Sequence, residues 1–242
     1  MSGELKLVLF DCDGTLVDSQ HMIVAAMNEA FTQNGLELLP RGEVLSIVGL
    51  SLENAIAALL PETDPATLMR VTEAYRDAFT TLRGRPDLHE PLFEGAQEAL
   101  DWLRNEENVL LGIVTGKSQK GLRNILALHE LSDYFITLQT ADDAPSKPHP
   151  GMIERALGET GARADHTVVI GDTSYDMLMA RSAGAHGLGV AWGYHEPTAL
   201  SASGARLILQ HFGETEEALG TLWTEWQSKA QGKAPNGKEA AE

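Results

Sequence analysis

The sequence predicts an α/β fold: a doubly wound, mainly parallel sheet with an α-helical unit inserted into it. Three observations carry that expectation. Short apolar runs alternate with amphipathic helical stretches along most of the chain, several of these runs end in turns rich in Asp, Thr and Gly, and one long segment, from about Val17 to Arg85, breaks the alternation and reads as helix almost throughout. Strands sandwiched between helices are apolar on both faces, and Leu7-Val8-Leu9-Phe10 and Val168-Val169-Ile170 have that character.

Lys6–Phe10 is the first strand and runs into Asp11-Cys12-Asp13-Gly14-Thr15. In the insert, Ile23, Ala26, Met27, Ala30 and Phe31 share one helical face, stopped by Asn34-Gly35. A second helix covers Leu52–Leu60, ahead of Pro61. A third is marked by Val71, Ala74, Tyr75, Ala78, Phe79 and Leu82, which recur at the i, i+3, i+4, i+7, i+8, i+11 spacing of an amphipathic helix. Arg83-Gly84-Arg85-Pro86 is the return linker. Beyond it, helices at Ala96–Asn105, Gln119–His129, Met152–Glu159 and Tyr175–Ala183 are interleaved with strands at Val109–Val114, Tyr134–Leu138, Val168–Ile170, Gly187–Ala191 and Leu207–Leu209. After Trp226 the residues turn small and polar, as in a disordered tail. The expected division is residues 1–16 and 86–226 as core, 17–85 as insert and 227–242 as tail. Both crossings into the insert lie near Asp11 and Asp13, so a hinge there would open and close the site.

Composition narrows the function classes. The chain has 242 residues, 43% of them apolar, which supports a real hydrophobic core. Lys and Arg number 18 against 35 acidic residues, a formal net charge of -17. Such a chain is repelled by nucleic-acid backbones and anionic lipid, so neither is expected as a partner. The same field opposes a phosphate-bearing ligand, so a phosphate site needs a cation and local basic groups. The single cysteine, Cys12, excludes an intramolecular disulfide and a thiolate zinc cluster. Strand alternation turns it to the face opposite both aspartates, as a small buried residue. Met1–Lys6 lacks the basic start and apolar stretch of a signal peptide, and no apolar run reaches membrane-spanning length. A soluble, cytoplasmic protein is expected.

Asp11 and Asp13 place two carboxylates where a strand enters a tight turn. That arrangement suits phosphoryl transfer: one carboxylate attacks phosphorus and its neighbour handles the proton, with a hard cation between them and the phosphate. A solvated acidic turn would also produce it. Thr115-Gly116-Lys117 ends the Leu111–Val114 run, offering a hydroxyl and amides to phosphate oxygens. Lys147, held between Ser146 and Pro148, can neutralise a phosphate. Asp172 and Asp176 follow Val168–Ile170, either as magnesium-type oxygen ligands or, for Asp172, as a helix cap.

Taken in order, D-x-D-G-T, the strand-end Thr, Lys-Pro-x-Pro and G-D-x-x-x-D resemble the haloacid dehalogenase (HAD) superfamily, over roughly Lys6 to Trp192. The closest likeness is to phosphoglycolate phosphatase-like members with a helical cap on a Rossmann-like core. The resemblance implies a Mg²⁺-dependent phosphatase of a small phosphorylated metabolite, working through an aspartyl-phosphate. It implies Asp11 as nucleophile and Asp13 as general acid and then general base. Thr115 and Lys147, with Gly14 and Gly116, would bind the phosphoryl group. Asp172, the Asp11 carboxylate and the Asp13 backbone carbonyl would ligate Mg²⁺. Asp176 would orient that shell, through a metal-bound water or by holding Lys147.

Departures from the family patterns sort the branches. Dehalogenases lack the second aspartate, so Asp13 argues against that chemistry. Phosphonoacetaldehyde hydrolases need a cap lysine, and no lysine lies between Lys6 and Lys117. β-Phosphoglucomutases carry an arginine after a cap Gly-x-Ser, where this chain has Leu52 after Gly49-Leu50-Ser51; a mutase is the alternative reading, a non-catalytic phosphate-binding regulator the remote one. Gly49 and Ser51 are expected near the substrate, although a turn glycine and a helix N-cap serine fit the same residues. Arg41, Arg83 and Arg85 could meet a substrate carboxylate, and Trp192-Gly193-Tyr194-His195 could edge the pocket. Gly116 stands where the family often has Asn, which puts one phosphate-side hydrogen bond in doubt.

Overall fold

A computed structural model describes residues 4–231. The chain enters through β1 (Lys6–Phe10) and leaves the sheet at once for four helices, α1 (Gln20–Gln33), α2 (Arg41–Ser46), α3 (Leu52–Leu59) and α4 (Pro65–Leu82). It returns through α5 (Ala96–Asn105), β2 (Val109–Val114), α6 (Gln119–Leu128), β3 (Thr137–Gln139), α7 (Gly151–Thr160) and β4 (Thr167–Gly171). The last elements are α8 (Ser174–Ser182), β5 (His186–Val190), α9 (Pro197–Ser203), β6 (Ala205–Leu209) and α10 (Thr215–Gln231). The six strands form one sheet in the order β3-β2-β1-β4-β5-β6, and every pairing is parallel.

Strand alternation divides the apolar residues between two layers. Val8 and Phe10 of β1 join Leu111, Ile113, Val168 and Ile170 under α5, α6 and α10. Leu7 and Leu9 point the other way and join Val114 and Val169 against α7 and α8. Cys12 lies in the first of these layers, and burial pushes its thiol well above the usual range. The insert has a cluster of its own, in which Ile23, Met27 and Phe31 of α1 meet Val44, Ile56 and Val71 from the other three helices. Its two connections run side by side: Val17 bridges Leu92 in antiparallel fashion, the Asp18 amide donates to Pro91 O (2.8 Å), and the Phe93 amide donates to Leu16 O (3.0 Å).

The structure departs from the sequence expectations at several elements. β3 starts at Thr137 rather than Tyr134, because Tyr134 closes a turn onto Leu131 O (3.1 Å) and its hydroxyl donates to Asp101 (2.5 Å). α4 begins six residues before Val71, at Pro65, where the Asp64 carboxylate accepts from the amides of Ala66 and Thr67, each at 3.1 Å. α2 and α9 are additional short helices. α10 carries helix through 227–231, residues expected to begin a disordered tail; the rest of that tail, 232–242, lies outside the described residues. Among the described residues, no helix is long and apolar enough to cross a membrane.

Candidate active site

β1 is the strand at which the order of the sheet reverses, and ligands in such sheets bind beyond the carboxyl ends of the strands at that point. Asp11 follows β1, Thr115 follows β2 and Asp172 follows β4, so the parallel register brings three distant motifs to one edge.

Asp11, Lys147, Asp172 and Asp176 are each at most 1% exposed. The Lys147 ammonium lies 2.9 Å from Asp11 Oδ1 and donates to Asp176 Oδ1 at 2.6 Å. Asp176 Oδ2 accepts from the Thr173 amide (3.1 Å) and hydroxyl (2.6 Å), a capping box that starts α8. Asp172 Oδ1 accepts from the Thr15 hydroxyl and Oδ2 from the Tyr194 amide, both at 2.9 Å. Two glycines make room for it. A Cβ on Gly14 (φ +86°) would sit 2.3 Å from Asp172 Oδ2, and one on Gly193 would sit 2.0 Å from Asp172 Cβ.

Three buried carboxylates thus cluster around a single ammonium, which pairs with Asp11 and Asp176 and leaves Asp172 without a cation. Oxygens of Asp11, Asp172 and Asp176 all lie within 4.8 Å of one another. Burial pushes the Asp11 carboxyl up to about 7 against the pull of Lys147, and Asp176 adds repulsion. Burial, with Asp11 and Asp176 nearby, raises Asp172 well above the carboxylate range. Burial opposes the charge on Lys147 too, but Asp11 and Asp176 outweigh it and hold its pKa above the usual value. Asp11 Oδ2 has no hydrogen-bond partner although buried. An all-oxygen set with surplus negative charge, its oxygens within 4.8 Å of one another, fits a hard divalent cation.

Asp13 stands apart from that cluster. Its Oδ1 accepts from Lys117 Nζ (2.9 Å) and the Ser19 hydroxyl (2.5 Å). Lys117 Nζ also lies 3.9 Å from Glu90 Oε1, a buried oxygen with no hydrogen bond. Burial raises the Glu90 carboxyl against the pull of Lys117. For Lys117, burial works against the charge, but Asp13 and Glu90 more than offset it and raise its pKa.

A cavity of about 520 Å³ opens between this strand edge and the insert. Asp11, Asp13, Thr115, Gly116, Lys117 and Gly49 line it; Lys147, Asp172, Asp176 and Gly14 do not, and form the structure around Asp11. Ser51 does not line it either. Its amide donates to the Ser146 hydroxyl (2.8 Å), while its neighbours Leu50 and Leu52 reach the cavity. Gly116 explains why no larger residue stands there: a Cβ would meet Leu50 O at 2.3 Å and Gly49 O at 2.7 Å. Of the three arginines, Arg83 lines the cavity, Arg41 donates to Gln20 and Arg85 pairs with Asp87. The Trp192–His195 loop braces the acidic cluster: besides the Tyr194 amide, Trp192 Nε1 donates to Thr15 O (3.0 Å).

Sequence reasoning gave no role to Thr15, Ser19, Glu90 or Lys117. Thr15 and Lys117 sat inside motifs already noticed, as the last residue of D-x-D-G-T and the cation after the strand-end Thr. Ser19 and Glu90 belong to no spacing pattern, and only the fold brings them to Asp13.

The model of the haloacid dehalogenase-like hydrolases matches residues 8–190. Among curated proteins, the chain is 34% identical over 219 residues to Probable phosphatase IndB of Dickeya dadantii, covering 89% of this chain and 94% of that one. It is 27% identical over 218 residues to a phosphoglycolate phosphatase of Photorhabdus laumondii, covering 89% and 93%. A solved hydrolase from Pseudomonas syringae superposes with a TM-score of 0.79 at 28% identity, over 89% of this chain and 98% of that one.

Proposed function

The chain belongs to the haloacid dehalogenase-like hydrolase family and is a phosphatase, and from that premise we propose that it hydrolyses a small phosphomonoester through an aspartyl-phosphate on Asp11, with Mg²⁺ as cofactor. One observation carries the reading: Asp11 lines the cavity with one oxygen fixed by Lys147 and the Cys12 amide (2.7 Å) and the other, Oδ2, without a hydrogen-bond partner. A carboxylate oriented through one oxygen and left open at the other is poised as a nucleophile.

In this scheme an Asp11 oxygen bonds to phosphorus as the ester P–O bond breaks. Asp13 gives its proton to the departing alkoxide. It then takes a proton from the water that attacks phosphorus and frees Asp11. Lys117 and Ser19 hold Asp13 for both transfers. Thr115, beside Asp11 on the cavity wall, binds phosphoryl oxygens, and Lys147, buried behind Asp11, lends its positive charge to them. The Asp11 and Asp172 carboxylates and the Asp13 carbonyl would hold Mg²⁺, with Asp176 fixing Lys147. When bound, Mg²⁺ supplies Lewis-acid neutralisation of the phosphoryl charge. Residues 17–85 act as a cap over this machinery, a division supported by the separate apolar cluster of the insert. Leu52 on the cavity wall, in place of a mutase-type arginine, favours release of phosphate over its return to a sugar.

The test is release of inorganic phosphate from a panel of phosphomonoesters by the native chain and by Asp11→Asn. The variant should be inactive, and unchanged release would overturn the assignment.

A further inference from the structure

Resting on that phosphatase reading, we propose that the alcohol released here is apolar and ring-bearing, so that the substrate class is an aryl-alkyl type of phosphomonoester rather than a two-carbon acid or a polyhydroxy phosphate. The cavity holds about 520 Å³. Cavities of roughly 300–1,000 Å³ take ligands of drug size, and a two-carbon acid phosphate would leave most of such a space unfilled.

The chemistry of the wall selects among larger ligands. Asp11, Asp13 and Thr115 occupy the core side, where phosphoryl transfer takes place. The insert contributes Met27, Ile47, Leu50, Leu52, Tyr75 and Phe79. Tyr75 and Phe79 stand one helical turn apart on α4 with ring centroids 5.8 Å apart, tilted by 41°, an arrangement that presents an aromatic face to an incoming ring. The Lys117 ammonium lies 5.2 Å from the centre of the Phe79 ring while bonding Asp13. The ring-binding wall therefore begins next to the proton carrier, where the leaving group must depart.

Charges on the same wall are already committed. Arg76 is paired with Glu53, and the Arg83 guanidinium lies against Phe79, 5.8 Å from its ring centre. Both arginines are exposed, as is Lys120 on the core side. Among the described residues, the insert offers the cavity no buried cation for a second acidic group. The other polar lining residues, Glu53, Thr80, Ser118, Asn124 and Asp142, are all exposed, so a sugar's hydroxyls seated against the aliphatic side chains would find few partners away from solvent, which costs binding.

The experiment uses the full chain with Mg²⁺ and three esters of primary alcohols, so that leaving-group chemistry is comparable: benzyl phosphate, glycerol 3-phosphate and 2-phosphoglycolate. Benzyl phosphate should show the highest kcat/KM, by about tenfold or more, the scale on which hydrophobic pockets discriminate. Phe79→Ala should lower the ratio of kcat/KM for benzyl phosphate to that for glycerol 3-phosphate by about tenfold. Phe79→Leu, which keeps the cap cluster filled, should give an intermediate ratio, and melting temperatures of both variants identify any folding defect. Equal or better turnover of glycerol 3-phosphate or 2-phosphoglycolate overturns the proposal and leaves the phosphatase reading intact. So does a Phe79→Ala loss that is the same for all esters. No phosphate from any of the three, or from the wider panel, sinks both.

Discussion

Gly116→Ala tests how closely the cap loop must sit on the core. The added methyl group would lie 2.3 Å from Leu50 O, whereas ordinary contact begins near 3.4 Å, so the loop must retreat by roughly 1 Å. Gly116 has no positive φ, so the substitution brings no backbone strain and acts through this clash alone. Leu50 is flanked by cavity-lining Gly49 and by Ser51, whose amide bonds Ser146, and the retreat pulls on both. A displacement of about 1 Å can cost up to about 100-fold in rate, and overpacking of this kind typically costs about 1–3 kcal/mol of stability. The expected result is a fall in kcat/KM for phosphate release of about tenfold to 100-fold with excess Mg²⁺, and a modest drop in melting temperature. Wild-type kcat/KM in Gly116→Ala would refute the close seating of the loop.

Other outcomes follow from the charge arrangement. EDTA should abolish turnover and Mg²⁺ restore it, since three clustered carboxylates have one ammonium among them and it pairs with only two; full activity after chelation would contradict the metal role. The folded Asp11 carboxyl near 7 is raised above its unfolded value of about 3.9, so its stabilising share is complete below about pH 4 and is lost as pH rises through 7. Metal-free wild type should therefore lose about 2–4 kcal/mol between pH 4 and 7 relative to Asp11→Asn in denaturant melts; parallel pH curves would show that Asp11 is not protonated in the folded chain. Lys117→Met should lower kcat by about tenfold or more and destabilise the fold, because it leaves Asp13 and Glu90 without their cation. An unchanged kcat would free Asp13 from any dependence on that lysine.

What could be read from the sequence tracks how local each signal is. β1, β2 and α5 were legible because an apolar run or stripe and its stop lie within ten residues. Asp11, Thr115 and Asp172 could be singled out because each sits in a short motif at the end of such a run, and parallel register brings them to one edge; Lys147 stood out only through its Lys-Pro-x-Pro motif ahead of α7. α10 was not read as a helix, since its Gly220 and scattered Thr residues obscure the period, and Trp223 and Trp226 reveal their purpose only against the sheet. Tyr134 looked like strand because aromatic residues favour strands, yet a hydrogen bond to Asp101, thirty-three residues away, commits it to a turn. Glu90 lies between His89 and Pro91 with no pattern at all. Its place beside Lys117 depends on the return crossing from the insert, a relation that no window of sequence contains.

That crossing has a mechanical consequence. Ser19 is the residue that starts α1, while Lys117 stands on the core just past β2, and both grip the same oxygen of Asp13. The carboxylate is a clasp between two bodies. Were the insert to swing about the Val17–Leu92 bridge, the span between its anchors would change and Asp13 would be pulled from one of them. On the proposed mechanism, Asp13 would then be fully held only with the insert closed over the core, when an ester is enclosed.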